Sequence, residues 1–532
     1  MKNIFLLLTA VVFSTFTIAQ TTVNIVKDIN PLGNSSIQQY KTYNGLLYFS
    51  ANDGTNGSEL WVTDGTEAGT QMIKDICSGC YSVPTCLTIY NNKLYFTAYD
   101  ATHQAELWVT DGTSANTVMV KEINPTTSSY ANYYTILNGK LYFSADDGTN
   151  GMELWVTDGT SVGTQMVKDI NPSGNSYPYG FILYNSKMYF RADDGINGYE
   201  LWETDGTTIG TKMLKNINTN GGSLPLGFTL YNNKMWFCAN DLTNGTELWV
   251  SDGTAIGTQM IKNINPSGDA LTDGFVVYNG SLYFTADDGT NGFELWKTNG
   301  TTLGTQLVKD IHATAGSSPR YLTVFNNYLY FSANDGVNGE ELWRTDGTIA
   351  GTELFLDINP NDGSYSGNFF IFKNKMYFAA DDGTNGFELW RTDGTVAGSE
   401  KIVPAIAPNS NPLDNMFFQG FDTLNNVLYF AANYNSCGNE LWKLEENTSQ
   451  IIEKTNTINA KIFPNPANNT ITIDGIHGNS ELEITDVCGM TVLNAIITEN
   501  ENNISIENLK SGMYFVKIRK DESQTSFKLV KN

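Results

Sequence analysis

The chain has 532 residues, of which 41% are hydrophobic and 12% aromatic, enough apolar material for a packed core. Only 16% are charged, and the formal net charge at pH 7 is −25. Such an acidic surface repels nucleic acid and anionic membranes, so neither is an expected partner, whereas its carboxylates can attract cations.

The first 19 residues (1–19) are typical of a secretory signal peptide. Lys2 supplies the charged start, residues 4–13 form an apolar run, and Thr17-Ile18-Ala19 is an acceptable cleavage site. This run is too short to span a bilayer, and no later segment approaches 18 consecutive apolar residues. We therefore expect an exported, soluble protein with no transmembrane segment after cleavage.

A repeat dominates the rest of the sequence. The tripeptide Glu-Leu-Trp occurs nine times, the first eight copies 47 residues apart and the ninth after 52. A fixed period in this range indicates a repeat architecture whose units cannot bury their apolar faces alone. The copies begin at Glu59, Glu106, Glu153, Glu200, Glu247, Glu294, Glu341, Glu388 and Glu440.

Each repeat contains four short runs that predict β-strands. In one copy the runs are 181–184, 188–192, 200–204 and 212–217, all rich in aromatic and branched residues and separated by Gly, Asn and Asp. Four antiparallel strands in 47 residues match one blade of a β-propeller. The sequence thus predicts an all-β protein with a single propeller of nine blades over residues 20–443.

The two ends of the array predict how the ring closes. Residues 23–29 match the fourth strand of a repeat that lacks the first three, while the ninth repeat lacks the Asp-Gly-Thr turn after its third strand. The N-terminal strand is therefore expected to complete the ninth blade, which leaves no free sheet edge.

Cysteine spacing predicts a local disulfide in an exported protein. Cys77, Cys80 and Cys86 fall in one connector, so one bridge among them is expected, with the third thiol free. The Cys77–Cys80 pair could also suggest a metal or redox site, but the sequence has no second such cysteine pair and no histidine pair nearby. The remaining cysteines are Cys238, Cys437 and Cys488.

After a linker at 444–460, residues 461–532 contain short strands typical of a small β-sandwich. Motifs at 463–467, 486–492, 509–518 and 528–532 resemble, in order, the C-terminal sorting domain of type IX secretion substrates. The residues that carry this motif are Pro464, Asn465, Pro466, Gly489 and Gly512.

That resemblance implies an exported protein of Bacteroidota, carried across the outer membrane by the type IX machinery and then anchored at the surface or released. Residues 22–443 resemble the exported bacterial family named after its ELWxxDGT motif, which implies no particular activity.

The repeated glutamates allow two interpretations. They could form a functional ring of carboxylates, or they could be buried and paired, since a buried carboxylate needs a partner. Lysines 15 residues after six of the glutamates, beginning with Lys74, are candidate partners, but Leu356 breaks the pattern after Glu341, so backbone donors must serve at least some copies. The tryptophans are expected to pack between blades rather than to present a ligand platform.

The loop Asp-Asp-Gly-Thr-Asn-Gly is the best metal candidate. Its Asp and Asn side chains are suitable calcium ligands, but the loop departs from an EF-hand, and the same residues form tight turns without an ion. We favour turns and keep calcium as the alternative; no other cofactor is expected. The candidate ligands are Asp146, Asp147, Asn150, Asp287, Asp288, Asn291, Asp381, Asp382 and Asn385.

No catalytic motif is apparent, and a rigid ring with variable connectors suits recognition. The leading hypothesis is a non-enzymatic, cell-surface or secreted protein that binds glycans or surface proteins; a polysaccharide hydrolase or lyase and a purely structural protein are the alternatives. The expected contacts are aromatic residues of two connectors, Tyr130, Tyr133, Tyr134, Tyr177 and Tyr179.

Overall fold

The structure is a computed structural model, and it describes residues 19–403, 411–413, 420–434, 438–448, 460–476, 478–487, 490–498, 502–520 and 523–532. Secondary structure in these residues consists of strands joined by turns, and no described segment forms an apolar helix long enough to cross a bilayer. Most of the expected signal peptide, most of the linker, Cys437, Cys488 and Gly489 lie outside the described residues. The chain divides into two compact units, one of which is Val26–Trp442.

Strands are numbered in chain order, beginning with β1 (Ala19–Lys27). The first four blades contain β2–β5 (Gln38–Tyr43, Leu46–Asn52, Ser58–Thr63, Gln71–Lys74), β6–β9 (Thr85–Tyr90, Lys93–Asp100, Gln104–Thr110, Val118–Lys121), β10–β13 (Asn132–Leu137, Lys140–Asp146, Met152–Thr157, Gln165–Lys168) and β14–β17 (Tyr179–Tyr184, Lys187–Asp193, Tyr199–Thr204, Lys212–Lys215).

Blades 5 to 9 follow the same plan. They contain β18–β21 (Leu226–Tyr231, Lys234–Asn240, Thr246–Ser251, Gln259–Lys262), β22–β25 (Asp273–Tyr278, Ser281–Asp287, Phe293–Thr298, Gln306–Lys309), β26–β29 (Arg320–Phe325, Tyr328–Asn334, Glu340–Thr345, Glu353–Leu356), β30–β33 (Gly367–Phe372, Lys375–Asp381, Phe387–Thr392, Glu400–Lys401) and β34–β36 (Phe421–Leu424, Val427–Ala432, Glu440–Thr448).

Each of the first eight blades is a four-stranded sheet in chain order. In blade 3, β10 pairs with β11, β11 with β12 and β12 with β13, all antiparallel. The second and third strands are buried on both faces, as expected for sheets stacked between two neighbours. The first strand carries a bulge, in blade 3 between Asn132 and Thr135.

Neighbouring blades share their cores. One cluster joins Tyr48 and Leu60 of blade 1 to Leu94, Phe96 and Trp108 of blade 2, and equivalent clusters recur around the ring. The tryptophans therefore pack between blades, as the sequence predicts. This stacking explains why aromatic and branched residues recur on both faces of each strand.

The ninth sheet closes the ring with strands from both ends of the array, in the order β1, β36, β35, β34. Val26 and Ile29 pack with Leu441 and with Phe49 of blade 1 in one core cluster. The Thr42 hydroxyl donates to the carbonyl of Thr423, 2.8 Å away, and so joins blade 1 to blade 9. The nine-bladed propeller closed by the N-terminal strand is thus confirmed.

The repeated glutamates fix the connectors, by which we mean the segments between the fourth strand of one blade and the first strand of the next. The fully buried Glu153 accepts the backbone N–H groups of Ile170 (2.8 Å) and Asn171 (3.3 Å) and the hydroxyl of Ser176 (2.7 Å). We call these contacts of the glutamate the clamp. Its two backbone donors, 17 and 18 residues after the glutamate, recur in the six other complete repeats before Glu388. In the ninth blade, Ile29 and Asn30 donate to Glu440.

The expected pairing of these glutamates with the lysines 15 residues further along the chain is therefore wrong. In blade 8 a lysine at another position contacts the glutamate. The Lys74 ammonium donates to the carbonyl of Thr117 in the next blade at 2.7 Å and lies 5.8 Å from the centre of the Trp108 ring. The same contact recurs from Lys27 to Lys309. Lys401, two residues before the expected lysine position, lies 2.6 Å from Glu388.

The described residues from 460 to 532, which we call the C-terminal unit, form two sheets. The first has β37 (Lys461–Phe463), β38 (Thr470–Asp474) and β41 (Asn503–Ser505); the second has β39 (Ser480–Asp486), β40 (Thr491–Ile497), β42 (Gly512–Lys520) and β43 (Ser523–Lys531). A shared core of aliphatic side chains, including Ile471, Ile484 and Val516, lies between them. This confirms the predicted small sandwich.

The clamp predicts a large stability loss on removal of one glutamate. Glu153→Ala leaves two backbone N–H groups and one hydroxyl without their acceptor, so we expect the free energy of unfolding to fall by about 3 kcal/mol or more. Glu67→Ala, at an exposed position of blade 1, is the control. A denaturant midpoint for Glu153→Ala equal to that of the control would contradict the clamp.

The clamp also predicts a pH dependence. Burial, partly offset by the hydrogen bonds, raises the pKa of Glu106, Glu153 and Glu247 from the ordinary 4.5 to about 7 and that of Glu440 to about 8. The folded protein thus retains protons that the unfolded chain releases above 4.5. This stabilisation is fully present below that pH and is lost as the pH rises through about 7 to 8.

Thermal unfolding measures this effect. We expect the midpoint at pH 8 to lie about 5 °C or more below that at pH 5.5. Repeating the scans at 0.5 M salt, where the Debye length is about 4 Å, screens repulsion between surface carboxylates but not the buried groups. Equal midpoints at the two pH values in high salt would show that the clamp does not take up protons.

Candidate ligand-binding site

The connectors place one exposed side chain per blade in an uncommon backbone conformation. In each of the first eight blades, the residue seven positions after the first backbone donor to the glutamate has φ between 43° and 51°, the left-handed region that non-glycine residues seldom adopt. In most copies it directly follows the serine that binds the clamp glutamate. These residues are Ser36, Val83, Tyr130, Tyr177, Leu224, Leu271, Ser318 and Tyr365.

A second left-handed position lies three residues later, in the bulge of the first strand. Three blades have glycine there (Gly180, Gly227 and Gly274), and the other five have non-glycine residues with φ between 56° and 61°: Gln39, Cys86, Tyr133, Tyr321 and Asn368. A side chain in this conformation costs of order 1–3 kcal/mol, and such strain is concentrated at functional sites. Blade 3 therefore holds two tyrosines, Tyr130 and Tyr133, at strained positions.

These tyrosines line a pocket between blades 3 and 4, which we call the blade 3–4 pocket. Its volume is about 600 Å³, within the usual range for small-molecule sites. The rings of Tyr133 and Tyr179 meet edge to face, 4.7 Å between centroids. The lining residues are Tyr130, Asn132, Tyr133, Ser144, Asp146, Met152, Asn175, Tyr177, Pro178, Tyr179, Arg191 and Tyr199.

Four of the five tyrosines expected to contact a ligand thus meet in one pocket. Tyr134 does not, and its assignment as a contact is corrected. Its hydroxyl lies 2.6 Å from Thr97 Oγ1, and its ring packs on Phe143 at 5.7 Å. Tyr134 follows Tyr133 directly on the strand, so its side chain points to the opposite face, into the core between the blades.

Sequence reasoning missed several residues of this pocket, among them Arg191 and Tyr199. The guanidinium carbon of Arg191 lies 4.6 Å from the centre of the Tyr179 ring and 5.2 Å from that of Tyr199. A comparison of the repeats position by position would have found Arg191, because every other copy has a small side chain there. Those residues are Ser50, Thr97, Ser144, Cys238, Thr285, Ser332, Ala379 and Ala431.

The Asp-Asp-Gly-Thr-Asn-Gly loops use their carboxylate oxygens internally. Asp146 accepts the N–H of Gly148, while Asp147 accepts the N–H groups of Thr149 and Asn150 and the Asn150 amide. The loop of Asp287, Asp288 and Asn291 is equivalent.

In the third loop, Asp381 accepts the N–H of Gly383, and Asp382 binds Thr384 and Lys401; Asn385 lies beside Thr384. Within the described residues, no three His, Cys, Asp or Glu side chains form a group that could hold a metal ion. This geometry favours the turn interpretation, and calcium binding stays a prediction.

The connector after blade 1 contains a disulfide between Cys77 and Cys80, whose Cα atoms are 5.2 Å apart. Cys86 is a free thiol, half-buried at the bulge of blade 2, and Cys238 is free and buried. The bridge therefore lies outside the blade 3–4 pocket.

In the C-terminal unit, Asn465 connects the start of the sandwich to its last strand. Its side-chain oxygen accepts the N–H of Val530 at 2.8 Å, and its amide donates to the carbonyl of Lys528. Pro464 and Pro466 flank it, and Gly512 pairs with Lys531. The motif residues that the structure describes thus join the two ends of this unit.

Comparison with known families identifies this unit. Residues 461–532 match the family described as "Secretion system C-terminal sorting domain", and they form a type IX secretion sorting domain. This domain indicates secretion to the cell surface or the extracellular space and an interaction with the type IX machinery. No curated protein matches the chain.

Solved structures similar to the chain have low identity. A puromycin hydrolase is 12% identical with a TM-score of 0.35, over 60% of this chain and 54% of the hydrolase; the chain thus spans about half of that enzyme. The extracellular domain of a putative hybrid two-component system from B. thetaiotaomicron is 11% identical, with a TM-score of 0.32 over 94% and 76%. The β-propeller domain of the Trilobed protease from Pyrococcus furiosus is 9% identical, with a TM-score of 0.34 over 70% and 99%. These similarities carry no argument about activity.

The loop geometry predicts that calcium does not stabilise the propeller. A site with Kd of about 10 µM would add about 2.7 kcal/mol at 1 mM calcium, but the loop carboxylates already accept hydrogen bonds. We therefore expect equal thermal midpoints in 1 mM calcium and in excess chelator, at roughly these concentrations. A lower midpoint in chelator would restore calcium as a ligand of the loops.

Proposed function

We propose that this protein is an exported propeller that binds saccharides, at the cell surface or outside the cell, in the blade 3–4 pocket. One observation carries the proposal: two connectors and the first strands that follow them bring four tyrosines around a single cavity, and three of these tyrosines have left-handed backbones. Their exposed side chains stand on a backbone that is fixed from below by the buried glutamates.

The chemistry of the lining suits a sugar. A sugar ring presents a C–H face that can pack on an aromatic ring and a rim of hydroxyls that need hydrogen-bond partners. Tyrosine offers both a flat apolar surface and a hydroxyl, and Asn132, Asn175 and Ser144 add amide and hydroxyl groups that both donate and accept. Polar groups that converge beside aromatic surfaces are typical of ligand sites.

The platform is rigid, which favours binding. Tyr177 donates its N–H to the carbonyl of Met152, and the preceding Ser176 binds both that carbonyl and Glu153. Because the connector is held before any ligand arrives, little conformational entropy is lost on binding.

Two alternatives from the sequence are less well supported. Glycoside hydrolysis by the usual mechanism needs two carboxylates, and the described lining of the pocket contains one, Asp146, whose carboxylate accepts the N–H of Gly148. A purely structural role does not require an exposed aromatic ring at a left-handed position where three other blades use glycine and the remaining four use Gln, Cys, Tyr or Asn. A surface protein would be recognised by its glycans in this proposal.

The repeats themselves supply matched variants for the test. Tyr177→Ser places in blade 4 the residue that blades 1 and 7 have at the same position (Ser36 and Ser318), and Tyr133→Gly copies Gly180. We expect the mature protein to bind saccharides on a glycan array, and each variant to bind roughly fivefold more weakly, since an aromatic contact contributes about 1 kcal/mol.

Tyr365→Ser is the control, because it makes the same change at the same repeat position in blade 8, away from the pocket. Thermal unfolding verifies that all three variants fold. Absence of saccharide binding by the wild type, or equal loss in Tyr365→Ser, would contradict the proposal.

A further inference from the structure

The charge of the blade 3–4 pocket comes from a residue that belongs to one blade alone. Arg191 stands on the second strand of blade 4, where the other copies have Ser, Thr, Cys or Ala. The fold therefore does not require a long cationic side chain at this position. In a chain with a net charge of −25, the presence of an arginine in the blade 3–4 pocket needs a local explanation.

Arg191 lacks the partners that a half-buried guanidinium normally has. Its Nε is buried without a hydrogen-bond acceptor, and within the described residues its guanidinium forms no hydrogen bond or ion pair. Two tyrosine rings pack against it. An arginine that stacks on aromatic rings keeps its N–H donors in the guanidinium plane, available to an acceptor from outside.

The neighbouring carboxylate does not supply that acceptor. Asp146 lines the same pocket, but its Oδ1 accepts the N–H of Gly148 at 2.6 Å. A charge withdrawn from water without a partner is unfavourable, and a planar or tetrahedral oxyanion offers two oxygens at the spacing of the guanidinium donors. The guanidinium donors of Arg191 are therefore suited to binding an anion.

We propose that the pocket binds an anionic saccharide, a sugar bearing a carboxylate or a sulfate ester, with the anion on Arg191 and the sugar ring against the tyrosines. This inference rests on the proposed function, since it names the class of saccharide. The tyrosines hold the sugar ring, and Arg191 selects its acidic substituent.

The test compares three short oligosaccharides with the full mature protein by calorimetry: a trigalacturonate, a sulfated chondroitin tetrasaccharide and a neutral galactotriose. Short probes limit the repulsion between an acidic polymer and the acidic protein. We expect the wild type to bind at least one acidic probe about tenfold or more tightly than the neutral one, and the acidic probe that binds identifies the anion.

Arg191→Ser is the decisive variant, because serine is the residue of blades 1, 3 and 7 at this position (Ser50, Ser144 and Ser332). It should weaken binding of the acidic probe by roughly 10- to 100-fold and leave binding of the neutral probe unchanged. Arg191→Lys retains the charge but not the fork of donors, and it should restore only part of the affinity. Arg320→Thr is the control, because it removes an arginine from a different pocket, between blades 6 and 7. Threonine is the residue of blade 2 at the same repeat position (Thr85).

The outcomes separate the two proposals. The anionic inference is overturned if the wild type binds neutral and acidic probes equally. It is also overturned if Arg191→Ser weakens binding of both probes alike, because Arg191 would then only support the tyrosines. In both cases saccharide binding stands. If no probe binds and the glycan array is also empty, the proposed function fails, and the anionic inference fails with it.

Discussion

The buried glutamate of each repeat is the contact on which the rest of the propeller depends. A carboxylate inside a protein is tolerated only when its oxygens are hydrogen-bonded, and here the donors come from the connector that leads to the next blade. In blade 3 the donors include Ser176, which directly precedes Tyr177. One interaction thus satisfies the buried charge, reverses the chain between blades and sets the backbone from which ligand-facing side chains project. In blade 3 the donors follow Glu153 by 17, 18 and 23 residues, so a change in the length of this stretch would move them away from the glutamate.

Lysines and tryptophans connect the blades in a second way. Seven lysines, spaced 47 residues apart from Lys27 to Lys309, reach into the next blade, where each donates to a threonine carbonyl and lies over a tryptophan. This contact is partly exposed, so its contribution to stability is modest, but it repeats around the ring. The residues that hold the blades together and the residues that vary are therefore different ones. Glu, Trp and Lys recur from blade to blade, whereas the exposed connector residue changes.

The fold could be predicted from the sequence because its signals are local and repeated nine times. Strand lengths, turn residues and the truncated ninth repeat were sufficient for the blade count and the closure by the N-terminal segment. The break at Leu356 predicted backbone donors for some of the glutamates, but not which groups they are, because backbone N–H groups carry no sequence signal. Lys74 follows Glu59 at a spacing that suggested a cross-strand pair, yet its side chain crosses to the next blade. For the site, aromatic composition located Tyr130, Tyr133, Tyr177 and Tyr179, but it did not distinguish Tyr133 from Tyr134. Arg191 lies in a strand, where departures from the consensus attract less attention than in loops.

The closure of the ring has a consequence for the order of folding. The backbone N–H of Ile29 binds Glu440 across 411 residues of sequence, so the ninth sheet cannot form until nearly the whole propeller has left the ribosome. Contacts of such long separation form late, since the entropy of a large loop must be lost first. Until then the partly made molecule is an open arc whose last blades present unpaired strands, a state prone to aggregation. Once β1 is in place, the same contact opposes unfolding, because the ring has no free terminal blade from which it could fray. A secreted protein gains from this asymmetry: it is slow to close and slow to open.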